Sequence, residues 1–439
     1  KKLRDELKDP SITWIVFINP PFATAQDAKS DGSSKKGVSK TKVEIVMDKE
    51  NTKHAKRELF AQFMFRIVHE LPEKSFLGMF STLKYLNAPD SVEYRDKHFN
   101  YKYEKGFLFH SKCFHGVTGD FPIAFLIWNL LKKGETKSVE IDIANEEART
   151  IGVKHLQLIE KKDVLNNWFS RPQNSNDYIL PALSNGITVK DGNIDTRHRA
   201  RPDFLASICS KGNDFQNAKY VTILSSPSVS AGAFSVIKEN FEKALTLHAV
   251  RKIPKPTWLN DRNQFLIPHT NPTQEFINDC IIWSLFSNSN QTTALTNVLY
   301  LGKTYQIKNN FFPFRIEEIK HWDIKDTDFR QQLLKDENRF VADWLSKNEL
   351  SDEAKLVLET AKAVYQLFYS SLNQMATQKW KIDSWDAGWY QIRRCLTEHN
   401  LGADELKQLS KANEKLANKI LPKIEEFGFL DKDEVYDEV

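Results

Sequence analysis

Hydrophobic and polar positions follow several different periods along the chain, and the changes of period divide it. The run "TWIVFI" (Thr13 to Ile18) is continuously β-branched and aromatic, which predicts a strand buried on both faces of a mostly parallel sheet. Pro20 and Pro21 follow it and cannot donate ladder hydrogen bonds, so the strand must stop there. In open α/β sheets the carboxyl edge is where ligands bind. "HAKRELFAQFMFRIVHELP" (His54 to Pro72) sets Leu59, Phe60, Phe63, Ile67 and Val68 at helical spacing and closes on Pro72, which predicts a helix. "SFLGMFS" (Ser75 to Ser81) and "GDFPIAFLIWNLL" (Gly119 to Leu131) predict further strands. Strand, helix and strand in succession make an α/β layer.

Between about Ile141 and Leu345 the pattern is irregular, with short strand candidates such as "YVTILSS" and "NVLYLG" among turn-rich segments like "RPQNSNDY" and "NDRNQF". A separate α+β domain is expected there. From Ser351 onward, "SDEAKLVLETAKAVYQLFYSSLNQMA" and "GADELKQLSKANEKLANKILPKIEEFGF" carry apolar residues at three and four spacing with acids in the first turns, the pattern of amphipathic helices. The expected division is therefore 1–140, 141–345 and 346–439. No repeat of fixed period interrupts it.

The 439 residues suit two or three domains, each able to bury a core. Ten Trp and twenty-nine Phe are enough to place aromatics on working surfaces as well as inside. A formal charge of +4 on so long a chain does not mark a nucleic-acid binder, so attraction to phosphate has to come from local patches. Cys113, Cys209, Cys280 and Cys395 are scattered without CxxC or nearby His spacing, which argues against a zinc site and a disulfide scaffold and for a reducing, cytoplasmic setting. The longest apolar run, "FPIAFLIWNLL", is too short for a membrane helix. "KKLRDELKDPSITW" lacks the apolar core of a signal peptide and opens directly onto a strand, so the chain is expected to begin in mid-fold.

Candidate chemistry gathers at the end of the first strand. Two acceptors, the Asn19 side-chain oxygen and the Pro20 carbonyl, can converge on one point, and an exocyclic NH2 group has two hydrogens to give. Phe22 supplies a π face for a planar base. Ala28 to Lys42 follows, a stretch rich in Gly, Ser and Lys. It is expected to be a mobile basic loop in which Lys35, Lys36, Lys40 and Lys42 grip phosphate.

"FINPPF" resembles the catalytic motif of S-adenosylmethionine-dependent amino-methyltransferases, in particular the adenine-specific DNA methyltransferases of restriction-modification systems. The resemblance implies a catalytic turn of Asn19, Pro20, Pro21 and Phe22. The Asn19 and Pro20 oxygens accept the hydrogens of the target amine, and Phe22 stacks on the flipped base. It continues downstream through "LFAQFMFRIVHEL", "SFLGMFS", "KYLN", Arg95 and "GVTGDFPIAFLIW", where Phe121 matches an aromatic that faces the base from its other side. In all it covers about Thr13 to Leu131. The implied fold is α/β: a partial Rossmann-like methyltransferase sheet, then an α+β domain and a mainly helical C-terminal region. The implied mechanism needs no strong general base, because the held amine attacks the sulfonium methyl in line and loses its proton afterwards; the base first leaves the duplex.

The family's glycine-rich donor turn precedes its Asn-Pro-Pro-Phe motif, whereas only eighteen residues precede Asn19 here and no two glycines stand in such a pattern. The chain is thus expected to hold the target-base half of a catalytic domain. It is read as a fragment, a truncated reading frame or half of a split enzyme, whose S-adenosylmethionine site an N-terminal segment or partner subunit completes. Double-stranded DNA is the expected partner, no membrane is expected, and the setting is restriction-modification or related phage defence. "TRHRARPDF", with Arg197, Arg199 and Arg201, and "HAVRKIPKPTW", with Arg251 and Lys252, supply further candidate DNA contacts in a region where the family often recognises its target. "WDAGWYQIRR" (Trp385 to Arg394) reads as core or interdomain packing. Two other readings stand beside this one: a methyltransferase acting on protein glutamine or RNA, and a non-catalytic nucleic-acid-binding remnant.

Overall fold

The first strand, β1 (Trp14–Ile18), runs parallel to β2 (Ser75–Ser81) with Ile18 opposite Met79. Between them the chain forms α1 (Lys42–Lys49) and α2 (Leu59–Glu70), so a crossover of the kind a parallel pair requires is present. Thr41 caps α1, its hydroxyl accepting the Glu44 N–H at 3.0 Å. The protein is described by a computed structural model at residues 5–21, 41–71, 73–115, 117, 119–134, 136–175, 177–184, 186–189, 199–228, 232–431 and 433–435.

Two short helices, α3 (Lys84–Asn87) and α4 (Val92–His98), lead into β3 (Tyr101–His110) and β4 (Pro122–Lys133). β4 is antiparallel to both β2 and β3. It starts at Pro122, a position where the missing N–H costs least. Nothing in the hydrophobic pattern had announced β3, because "YKYEKGFLFH" carries Lys102, Glu104 and Lys105 in its first half. The sheet continues past residue 140 through β5 (Ser138–Ala144), which lies parallel to β3, and β6 (Thr150–Gln157). The expected boundary at 140 therefore falls inside a strand.

Among the described residues, helices cover one face of this sheet. Leu77, Met79, Leu108, Leu126 and Trp128 share a core with Phe60, Met64 and Phe65 of α2 and Tyr94 of α4. Phe60, Ala61, Met64 and Phe65 form the buried side of α2, and Phe63, expected to face inward, is 40% exposed on its flank. The expectation that β1 is buried on both faces is corrected too: Ile15 is 80% and Phe17 71% exposed. β1 is the edge strand of the described sheet, and among the described residues no helix covers its second face. On that face Phe17, Phe80 and Phe125 touch at ring distances of 5.8, 5.3 and 4.8 Å, and Phe107 and Phe109 extend the contact across β3.

The rest of the chain builds a second unit. After a two-residue pair, β7 (Leu183–Ser184) and β8 (Thr188–Val189), come β9 (Ala206–Cys209), the single-turn α5 (Phe215–Ala218), β10 (Thr222–Leu224) and β11 (Ala233–Val236). With β12 (Asn290–Gln291) they form a four-stranded sheet of order β11-β9-β10-β12. α6 (Phe241–Lys252) and α7 (Gln274–Leu285) pack on it, and β13 (Leu295–Tyr300) and β14 (Lys303–Ile307) make a hairpin. Three short helices follow, α8 (Ile316–Ile319), α9 (Thr327–Leu333) and α10 (Phe340–Leu345), and then the long ones, α11 (Asp352–Ser370), α12 (Trp389–Glu398) and α13 (Ala403–Glu426). One core includes Ile223, Leu245, Ile281, Val364, Ile392 and Leu416. The regions expected as separate α+β and helical domains thus bury their apolar faces against each other. At the end of the chain β15 (Glu434–Val435) pairs with β6 of the first sheet, beside the buried Lys154 whose Nζ lies 2.8 Å from Asp433.

Parallel and antiparallel strands with a helical C-terminal region thus make a mixed α/β protein. Trp385 and Trp389 are buried, which fits the packing role read from "WDAGWYQIRR". Gly388 between them lies against the Thr292 backbone, where an added Cβ overlaps the carbonyl. Gly388→Ala is expected to lower the unfolding free energy by about 1–3 kcal/mol, the cost of overpacking, read from a urea midpoint at unchanged slope.

Candidate active site at the carboxyl edge of the first sheet

β1 ends where the sequence places it, and the two prolines divide the labour. Pro20 is buried and anchors the turn, whereas Asn19 and Pro21 are exposed. Among the described residues no side chain or backbone group hydrogen-bonds the Asn19 side chain or the Pro20 carbonyl. Both acceptors are therefore uncommitted among the described residues, at the carboxyl end of a strand whose parallel neighbour ends at the same edge. Phe22, the ring expected to stack on a base, lies outside the described residues.

Register brings further groups to this edge. Ser81 pairs with Ala124 and Pro122 with His110, so the end of β2, the start of β4 and the end of β3 share it with Asn19. Thr82, directly after β2, is 8% exposed, and its hydroxyl finds no partner among the described residues. Phe121 stands on the same edge, but β2 intervenes between β1 and β4, which puts their ends about 10 Å apart across the sheet. Its ring is half-buried and carries the Arg262 guanidinium 5.8 Å from its centroid. Arg262 is held in turn by Asp261 at 3.0 Å, and its carbonyl accepts the Asn87 side-chain N–H at 2.6 Å.

Beyond Phe121, Asp120 lies 2.6 Å from Lys112 and 3.3 Å from His110. The hydrogen bond and charge of Lys112 hold the Asp120 carboxyl below its ordinary range. Trp258 packs on the His110 ring at 5.2 Å. The segment Trp258 to Arg262 thus carries the second unit onto the edge of the first. Sequence reasoning missed it because the contact joins residues far apart in the chain, and only the aromatic and paired charges of "WLNDR" hinted at it.

The expected DNA contacts separate into distinct classes. Lys35, Lys36, Lys40 and Arg197 lie outside the described residues. Lys42 is exposed at the first position of α1. Arg199 is half-buried beside Ile179, and Arg201 is committed to Asp203 at 2.7 and 2.9 Å. Arg251 is a correction: it is fully buried, donating to the Ser210 hydroxyl at 2.7 Å and the Gly212 carbonyl at 2.9 Å. Burial pulls its guanidinium down to about 10, against the nearby Asp214. It closes the 210–214 loop over the end of α6 and has no face left for a base. Lys252 is half-buried, its Nζ 3.3 Å from the Ala218 carbonyl.

Among the described residues no group of three or more His, Cys, Asp or Glu side chains is placed to hold a metal ion, and no helix is long and apolar enough to cross a membrane. No known protein family, curated protein or solved structure matches the chain.

Proposed function

We propose that this chain is the target-base half of a site-specific DNA adenine methyltransferase of a restriction-modification or related phage-defence system. The observation that carries the reading is the pair of acceptors, Asn19 and the Pro20 carbonyl, that no described residue binds where parallel strands end. An exocyclic amine giving one hydrogen to each is held with its lone pair turned outward, towards an incoming methyl group. The parallel pair β1 and β2 with its crossover helices supports a partial Rossmann-like sheet.

S-adenosylmethionine supplies the electrophilic methyl group in this reading. The described residues do not offer it a site, because none of their strands meets a glycine-rich turn beside β1. Among the described residues nothing covers Ile15 and Phe17 at the edge of β1, which supports a further segment or partner subunit that packs there and brings the donor.

The chain alone is expected to bind a short DNA duplex with an affinity that falls roughly a hundredfold between 50 and 200 mM salt, as for about four neutralised phosphates. It is expected to show no calorimetric heat with S-adenosylmethionine, and to transfer labelled methyl to duplex adenine once the donor-binding partner is added. Transfer to peptide or RNA but never to duplex DNA refutes the reading. Duplex binding without transfer in the completed enzyme leaves the non-catalytic remnant in its place.

A further inference from the structure

In the second unit a cleft of about 620 Å³ opens between the ends of α5 and α6, the α7–β12 connection, α12 and α13. That volume falls within the range of small-molecule sites. Three cations line it, Lys219, Lys252 and Arg393, with Glu414 the single acid. Its apolar wall is made by Trp283, Phe286 and Trp389.

Two buried polar atoms of the lining residues find no partner among the described residues. Asn413 is 9% exposed, and its Nδ2 donates to the Trp283 carbonyl at 3.4 Å. A carbonyl can only accept, so the amide cannot be turned round, and Oδ1 is left as an acceptor without a donor. Arg393 spends Nη1 on the Asn288 side chain at 2.7 Å and Nη2 on its carbonyl at 3.4 Å, which leaves Nε–H unpaired. Buried polar atoms are seldom left so without a ligand or water to meet them.

A ligand matching this lining carries an oxyanion for the three cations and a flat apolar part for the aromatic wall. An inorganic ion meets only the first requirement. We propose that the cleft is a binding site for a nucleoside phosphate, separate from the Asn19 edge and independent of methyl transfer.

Calorimetry on the whole chain without DNA, using ADP and inorganic phosphate in turn, tests this. ADP is expected to bind, and to bind more tightly than phosphate. Arg393→Gln and Lys219→Glu are each expected to weaken it about tenfold or more, the loss of a charge-assisted contact. Lys219 is exposed directly after α5, so its variant keeps the fold intact even where the Arg393 variant does not, as thermal melting verifies. Absence of ADP binding at millimolar concentration overturns the proposal. So does equal affinity for phosphate and ADP, or ADP binding that Lys219→Glu leaves unchanged.

Discussion

Asn19→Ala is expected to lower methyl transfer to duplex DNA in the completed enzyme by roughly 10²–10³-fold, the usual cost of removing one preorganised group from a reaction centre. Asn19 is exposed and bound to no other described residue, and the buried Pro20 holds the turn, so the fold should not change by more than about 0.5 kcal/mol. In the proposed reading duplex binding comes from phosphate contacts elsewhere, so it should survive within about twofold. Asn19→Asp keeps an acceptor oxygen at the same place and should retain more transfer than the alanine variant. Single-turnover rates with labelled donor, beside fluorescence binding of the same duplex, separate these effects. Transfer at the wild-type rate, or loss of binding together with transfer, returns Asn-Pro-Pro to the status of a rigid turn.

What could be read beforehand follows from the physics of each element. β2 was legible to the residue, because "SFLGMFS" is a short apolar run bounded by polar residues. The start of α11 was legible as well: the helical spacing runs from Ser351 onward, and the Ser351 hydroxyl accepts the Ala354 N–H at 3.2 Å. β3 was not, since its exposed face carries charge. Nor was the bareness of β1, because a run of apolar residues reads the same whether both faces are covered or one, and the answer depends on where helices from other parts of the chain settle. Arg251 shows the same limit for a site residue. A cation in the last turn of a helix looks like surface, yet the neighbouring Leu247, Ala249 and Val250 are all buried with it. At the candidate site the end of β1 before Asn19 was legible from Pro20 and Pro21, whereas the Arg262 cover over Phe121 depends on chain folding between two units.

Arg339→Met is expected to lower the unfolding free energy by about 3–5 kcal/mol, because it strands buried charge rather than removing a contact at the surface. Arg339 joins Asp386 through Nε at 2.7 Å and Asp336 through Nη2 at 2.6 Å, and its guanidinium lies 4.7 Å from the Trp385 ring. Asp386 is 1% exposed, and its remaining partners are the Ser384 hydroxyl and the Asn309 N–H. Without Arg339 its charge has no cation beside it. Asp336 gives the pH dependence. Burial pushes its carboxyl up, but the Arg339 guanidinium and the Trp385 indole N–H outweigh burial and hold it well below the usual carboxylate range. A carboxyl depressed in the folded state binds fewer protons there than in the unfolded chain, so its contribution is present above the unfolded value near about 4 and is lost as pH falls below it. The native protein should therefore lose stability from about pH 4 downward, and Arg339→Met should flatten that acid limb as well as lower the plateau. Urea titrations from pH 7 to pH 3 measure both. An unchanged acid limb in the variant would show that the depression of Asp336 does not depend on Arg339, and a plateau lowered by less than about 1 kcal/mol would place the pair among exposed ion pairs.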